Sequence, residues 1–276
     1  MTSVPNTAHP DLHLREGTAA IPGGELWYWD TGGDGPPVVL LHSGTGSALS
    51  WPGQQAAFAE AGYRVIGYSR RGHYRSSAAS PGAPGSGAGD LAALVSALEL
   101  ESFHAVAVAA GGIYAADFAL GHTAALRSLV IAGSVMGIAD ADWQARLQAL
   151  QFPGFRDLPH DFLELGPSYR AENAHGLAEW RRIHELAYNG GEMVIQDVVN
   201  EITWVTLGRL APPVLLIAGG ADLYVPPPAM REVAARIPGA QLVVMPDAGH
   251  SAPWERPEDF NRAVLGFIGR VEAARA

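Results

Sequence analysis

Cysteine is absent from the 276 residues and so is lysine, which leaves arginine as the only permanently cationic side chain. The first absence removes disulfides, thiolate nucleophiles and cysteine metal sites. The second removes Schiff-base chemistry and a Ser-Lys dyad. Positive charge is scarce as well, with 18 basic against 28 acidic residues and a formal net charge of −10. Nucleic acid and anionic membrane both require basic surface, so neither is an expected partner. No apolar run is long enough to span a bilayer, and Met1 to Leu14 has neither the basic start nor the apolar stretch of a secretory signal. No histidines stand at a ligand spacing such as H-E-x-x-H, so no metal or other cofactor is implied. The expectation is a cytoplasmic protein with a small-molecule substrate, a homodimer being left open. Richness in Ala, Gly and Arg reflects a GC-rich genome and carries no functional weight.

The composition, 48% hydrophobic and 17% charged, suits a chain with a large buried core: one α/β domain carrying an insertion. Residues 12–20 and 25–31 are predicted strands of a hairpin turning at Pro22-Gly23-Gly24. Residues 37–42 form a continuous apolar run, as in a central parallel strand covered on both faces. The run opens into Ser43-Gly44-Thr45-Gly46-Ser47, after which Ser50 is expected to cap a helix to about residue 61. Further strands are predicted at 64–68, from 103, and at 126–132, 213–218 and 241–245, with helices led by Asp90 and by Pro257 between and after them. Strand alternating with helix predicts a mostly parallel doubly wound sheet. Between 136 and 208 the strand-like runs vanish. Helical stretches near 141–151, 158–165, 172–188 and 194–207 replace them, punctuated by Pro153-Gly154, Gly166-Pro167 and Asn189-Gly190-Gly191. This predicts a helical lid over 136–208 on a core made of 1–135 and 209–276.

Three short stretches carry the chemistry. Residues 103–114 are an apolar β-rich run that breaks at Ala109-Ala110-Gly111-Gly112 and restarts as a helix over 113–120. The strand ending at Ala218 is followed by Gly219-Gly220-Ala221-Asp222-Leu223-Tyr224-Val225-Pro226. The strand ending at Met245 is followed by Pro246-Asp247-Ala248-Gly249-His250-Ser251. A carboxylate and a histidine thus end successive parallel strands, on the sheet edge where ligands bind in open α/β folds.

Together with the loop after His42 and the helical insertion, these stretches resemble the α/β-hydrolase superfamily over nearly the whole chain. The resemblance implies the α/β-hydrolase fold and the chain order nucleophile, acid, histidine. It implies Asp222 as orienting acid and His250 as general base, with oxyanion-hole amides from Ala110 and from Ser43 or Gly44. The loop and lid are most similar to members acting on esters, lactones or C–C bonds beside a carbonyl. The departures are equally specific. The family's G-x-S-x-G elbow reads Ala107-Val108-Ala109-Ala110-Gly111, so Ala109 occupies the nucleophile position, and a methyl group cannot attack a carbonyl. Ser69 stands where an acidic residue usually precedes Arg-x-Gly, and Ser43 where glycine is commoner.

Three readings of Ala109 are open: a natural enzyme without a covalent intermediate, an ordinary serine hydrolase whose serine has been replaced, or a non-catalytic binding protein. The first is favoured, with His250 and Asp222 as a general-base dyad acting on a mostly apolar, carbonyl-bearing small molecule. Non-covalent hydrolysis, decarboxylation, a lyase step and cofactor-free oxygenation all fit it. Trp51, Tyr169, Trp204, Tyr224 and Trp254 are candidate substrate-binding aromatics, with Trp180 also near the mouth. His42 is read as a loop brace, Arg70 and Arg71 as solvated ion-pair partners, and Tyr114 and Asp117 as packing and capping. His9, His13, His73, His104, His122, His160, His175 and His184 are read as surface or lid residues.

Overall fold

A computed structural model describes residues 12–78, 82–188 and 194–276; His9 and the predicted Asn189-Gly190-Gly191 turn lie outside them. The hairpin is β1 (Arg15–Ile21) and β2 (Gly24–Asp30). Then follow β3 (Pro37–Leu41), α1 (Pro52–Glu60), β4 (Arg64–Tyr68), α2 (Gly87–Ala97), β5 (Phe103–Val108), α3 (Ala110–Gly121) and β6 (Leu126–Ala132). A helical segment intervenes: α4 (Ala141–Ala149), α5 (His160–Glu164), α6 (Pro167–Glu172), α7 (Ala174–Glu185) and α8 (Trp204–Leu207). The chain returns to the sheet with β7 (Val214–Gly219), α9 (Pro227–Arg236), β8 (Gln241–Met245), α10 (Ala252–Glu255) and α11 (Pro257–Ala273). The strands form one sheet in the order β1-β2-β4-β3-β5-β6-β7-β8, parallel from β4 to β8 with the hairpin antiparallel at one edge.

Side-chain alternation divides each central strand between two cores. Val39, Leu41, Ala105, Ala107 and Leu216 pack with Leu91 of α2, Phe118 of α3 and Met230 of α9. Val38, Leu40, Val106, Val108 and Ile217 pack with Phe58 of α1 and with Phe260 and Phe267 of α11. Helices cover both faces, which is why these strands read as unbroken apolar runs. Each fully buried aliphatic side chain contributes roughly 1.5–3 kcal/mol. The turn after β5 and the polar loops after β3, β7 and β8 are left on one rim.

Local corrections have local causes. Ser47, not Ser50, is the cap: it caps a single 3-10 turn over Ala48–Ser50, and α1 begins at Pro52 with no side-chain cap. Helix α2 begins at Gly87 on a Ser86 cap, so Asp90 lies inside it, paired with Arg71 at 2.7 Å. Residues 194–203 are not helical. The Gln196 N–H donates to the Tyr114 hydroxyl, the Asp197 N–H to the Gly85 carbonyl, and those of Val199 and Asn200 to the Asp117 carboxylate. Amides held by acceptors on the core cannot close a helical ladder. His73 and His104 are buried instead of lying on the surface or in the helical segment; their Nδ1 atoms bond the Gly46 carbonyl at 2.9 Å and the Ser128 hydroxyl at 2.7 Å. Among the described residues no helix is long and apolar enough to cross a membrane.

Helix α3 starts at Ala110, three residues before the predicted position, because Gly111 and Gly112 serve close approach and do not break the helix. A β-carbon at Gly111 would stand 2.4 Å from the Leu41 carbonyl oxygen. Gly111→Ala is therefore expected to cost about 3 kcal/mol, since neither backbone segment can yield without shifting β3 or β5. Urea denaturation at unchanged m-value measures it; a loss below about 1 kcal/mol would show that the junction is loose.

Candidate active site

Ala109 is the one residue between β5 and α3, at φ 48° and ψ −118°. A positive φ in a residue with a β-carbon costs on the order of 1–3 kcal/mol and persists only where the surroundings enforce it. Its N–H donates to the Ala132 carbonyl and its own carbonyl accepts from the Gly112 N–H, both at 3.0 Å. The turn holds its residue up from the sheet edge, half-exposed, and presents a methyl group. Ala110 opens α3, so its N–H has no intrahelical acceptor and lies at the positive end of the helix.

The loops after β7 and β8 cross at Gly219, where a β-carbon would stand 2.0 Å from the Gly249 carbonyl oxygen. That approach brings the acid to the histidine. Asp222 Oδ1 accepts the N–H groups of Tyr224 at 2.8 Å and Val225 at 3.0 Å, and Oδ2 lies 2.9 Å from His250 Nδ1. With Nδ1 donating to the carboxylate, Nε2 is the basic atom. Burial disfavours the charged ring, but the charge and hydrogen bond of Asp222 oppose it and the His250 pKa is held above its usual value. The Tyr224 ring lies 4.6 Å from the imidazole. Buried Glu255 accepts the Gly249 N–H at 2.9 Å and the Gly166 N–H at 2.8 Å, and burial raises its pKa to about 7.

The loop after β3 is organised around the Ser43 carbonyl. It accepts from His42 Nδ1 at 2.7 Å, from Arg70 Nη2 at 3.0 Å and from the Gly46 N–H at 3.4 Å. His42 Nε2 in turn accepts the Arg70 N–H at 2.9 Å, which fixes the ring as the neutral Nδ1–H tautomer. Burial, then Arg70 and His73, hold the His42 pKa well below its usual value. Arg70 and Arg71 are thus not solvated, being 2% and 3% exposed. Arg71 pairs with Asp90, whereas Arg70 has the Ser43 carbonyl and the face of Tyr114, 4.9 Å away. The Ser43 carbonyl shares a peptide unit with the Gly44 N–H, and a cation on one end of that unit strengthens the donor at the other. The Gly44 carbonyl accepts the Tyr188 hydroxyl at 3.0 Å.

One hollow touches His250 and a second comes to Tyr224, whose ring lies against the imidazole. A small cavity of about 20 Å³ is lined by Ser43, Ser50, Trp51, Val108, Trp180, His184, His250 and Trp254. A wide cleft of about 830 Å³ runs between α4, α5 and the core, lined by Thr45, Gln144, Gln148, Arg156, His160 and Tyr224 among others. The structure thus brings Trp51, Tyr224 and Trp254 to these walls. Tyr169 packs with Leu165 and Trp180 inside the helical segment. Trp204 packs edge-on against Trp143 at 5.3 Å, with Arg236 over its ring. Among the described residues no group of His, Asp and Glu could hold a metal ion.

Residues 36–257 match the family model described as the alpha/beta hydrolase fold. The chain belongs to that family. RutD of Variovorax paradoxus, a candidate carbamate hydrolase, is 31% identical over 87% of this chain and 94% of its own. The enol-lactonase of Burkholderia xenovorans superimposes with a TM-score of 0.73 at 25% identity, over 92% of this chain and 100% of its own. A thermophilic esterase from Thermogutta terrifontis superimposes at 0.78 with 24% identity, over 93% and 99%, a likeness of fold. As an α/β-hydrolase the chain is an enzyme.

Several residues around this α/β-hydrolase site carry no signal in the sequence. Thr45 lies in a loop of small polar residues, and Glu164 is a polar position near the end of a short amphipathic helix. Arg70 sits in a loop, where arginines are usually solvated. His42 also has a measurable signature. Its pKa is depressed on folding, so its contribution to stability is present above about pH 6.5 and is lost as pH falls below that value, where the unfolded chain binds the proton. His42→Asn is expected to lower stability at neutral pH. It is also expected to make the decline from pH 6 to pH 4 shallower by about 1.4 kcal/mol per pH unit. Urea titrations at several pH values test this, and equal slopes would remove His42 from the acid lability.

Proposed function

We propose that this α/β-hydrolase cleaves an ester or lactone of a small, mostly apolar molecule by direct attack of water, without an acyl-enzyme. The observation that carries the reading is His250 held by Asp222 at 2.9 Å beside an elbow that ends in the methyl of Ala109. A base with a raised pKa is suited to take a proton from water, and Asp222 stabilises the imidazolium that results. The small cavity has room for a water molecule, which needs roughly 10–15 Å³, and Ser43, Ser50, His184 and His250 supply polar groups in an otherwise apolar lining. Backbone N–H groups of Gly44 and Ala110 would hold the oxyanion, the first strengthened through the Ser43 carbonyl by Arg70, the second by α3. The helical segment acts as the lid, and the names of the esterase and the enol-lactonase agree in bond type. Ala109 by itself favours a second reading, a chain that binds its ligand without turning it over.

With p-nitrophenyl acetate and a simple lactone as probes, the expected result is slow turnover without a burst and no labelling by a fluorophosphonate. His250→Gln should lower turnover about a thousandfold. Ala109→Ser should add a burst of one product per chain and restore labelling, because acid, histidine and amides stand ready for a serine. Turnover unaffected by His250→Gln would overturn the base assignment. Probe binding with no turnover by the native chain would favour the second reading.

A further inference from the structure

A buried carboxyl group from the helical segment stands in this site without an ionic partner. Glu164, the last residue of α5, is 3% exposed. Its Oε1 accepts the Thr45 hydroxyl at 2.6 Å, while Oε2, equally buried, bonds no group among the described residues. Its position is fixed from below, because its own carbonyl accepts the Ser251 N–H at 3.0 Å, from the residue next to His250. Thr45, Leu163 and His160 line the wide cleft, so the carboxyl group lies directly behind the cleft wall at Thr45.

An ionised carboxylate in this position would leave one oxygen buried and bare, at a cost of several kcal/mol. A carboxylic acid avoids most of that cost, for it keeps Oε1 as acceptor for Thr45 and places its proton on Oε2. The surrounding groups divide. Burial raises the pKa above the ordinary value, and Asp222 adds to it, whereas His250, the Thr45 hydroxyl and His160 oppose it. The nearby phenols of Tyr188 and Tyr224 are uncharged, their own pKa values pushed up chiefly by burial.

We propose that Glu164 is the general acid of this site, donating its Oε2 proton to the oxygen that leaves the substrate, opposite His250 as base. This rests on the water-attack reading above. Water adds to the carbonyl carbon as its proton passes to His250 Nε2. The bond from that carbon to the leaving oxygen then breaks, and the electron pair stays on the oxygen, which takes the Glu164 proton. The imidazolium returns a proton through solvent to the Glu164 carboxylate, so that water and ester become acid and alcohol and both side chains are restored. The substrate class that gains most is an alkyl ester or lactone, whose alkoxide leaves poorly without a proton.

Glu164→Gln keeps the size of the side chain and an acceptor for Thr45 but has no proton to give. Hydrolysis of ethyl acetate is expected to fall about a hundredfold or more in this variant. Hydrolysis of p-nitrophenyl acetate, whose leaving group needs no acid, should fall by at least about tenfold less than that of ethyl acetate. Equal losses on the two esters would assign Glu164 a merely structural tie and overturn the proposal. A second measurement does not depend on turnover. In chain labelled with 13C at the glutamate carboxyl, the resonance missing from Glu164→Gln should titrate above the ordinary glutamate range, and higher still in His250→Gln, where the opposing cation is gone. A resonance that titrates in the ordinary range overturns the proposal whether or not either ester is cleaved. If His250→Gln leaves ester turnover intact while the titration stays elevated, the water-attack reading fails and the acid assignment does not.

Discussion

Three donors converge on the Ser43 carbonyl oxygen, and the geometry of the site depends on that convergence. One is the His42 ring, one the Arg70 guanidinium and one the Gly46 amide. The oxygen lies at the end of β3, and Arg70 follows β4, so a single acceptor joins the loops of two neighbouring strands. The arrangement also places a buried positive charge behind the Gly44 amide without exposing it to water. Because the His42 ring must be neutral to accept the Arg70 backbone N–H, a proton on the ring removes that bond. The loop is held by polar bonds, so its integrity is sensitive to pH in a way that the apolar cores above and below the sheet are not.

Three carboxylates surround one imidazole, and each is treated differently. Asp222 accepts two backbone amides and the ring itself. Glu255 accepts the amides that shape the histidine loop, yet burial still raises its pKa to about 7. Glu164 accepts one hydroxyl and nothing else among the described residues. Similar groups separated by environment are the usual way for one site to hold an acid and a base together.

Much of the fold is legible because the central strands are buried on both faces and announce themselves as apolar runs, and because Asp222 and His250 each follow an apolar strand and a glycine-containing turn. The turn at Ala109 is legible from its small residues, although they hide the true start of α3. What is not legible depends on partners distant in sequence. Residues 194–203 have helical composition, but Tyr114 and Asp117 take their amides. Arg70 reads as solvated because nothing local shows that a carbonyl from the previous strand covers it. Glu164 reads as an ordinary polar position because its partner Thr45 is 119 residues away. Trp204 is an aromatic in the helical segment like Trp180, and only packing separates the one against Trp143 from the one at the cavity.

The bond between Glu164 and Thr45 has a kinetic consequence. Helix α5 lines the wide cleft through His160 and Leu163, and its last residue carries the carboxyl group bonded to Thr45. Any motion that lifts α5 to admit a ligand breaks the Thr45 contact, draws the carboxyl group into water and lets it ionise. On the acid assignment proposed above, such an open form is a poor proton donor, and the donor forms again only when α5 returns to Thr45. Closing over a ligand and recovering the proton are then one event.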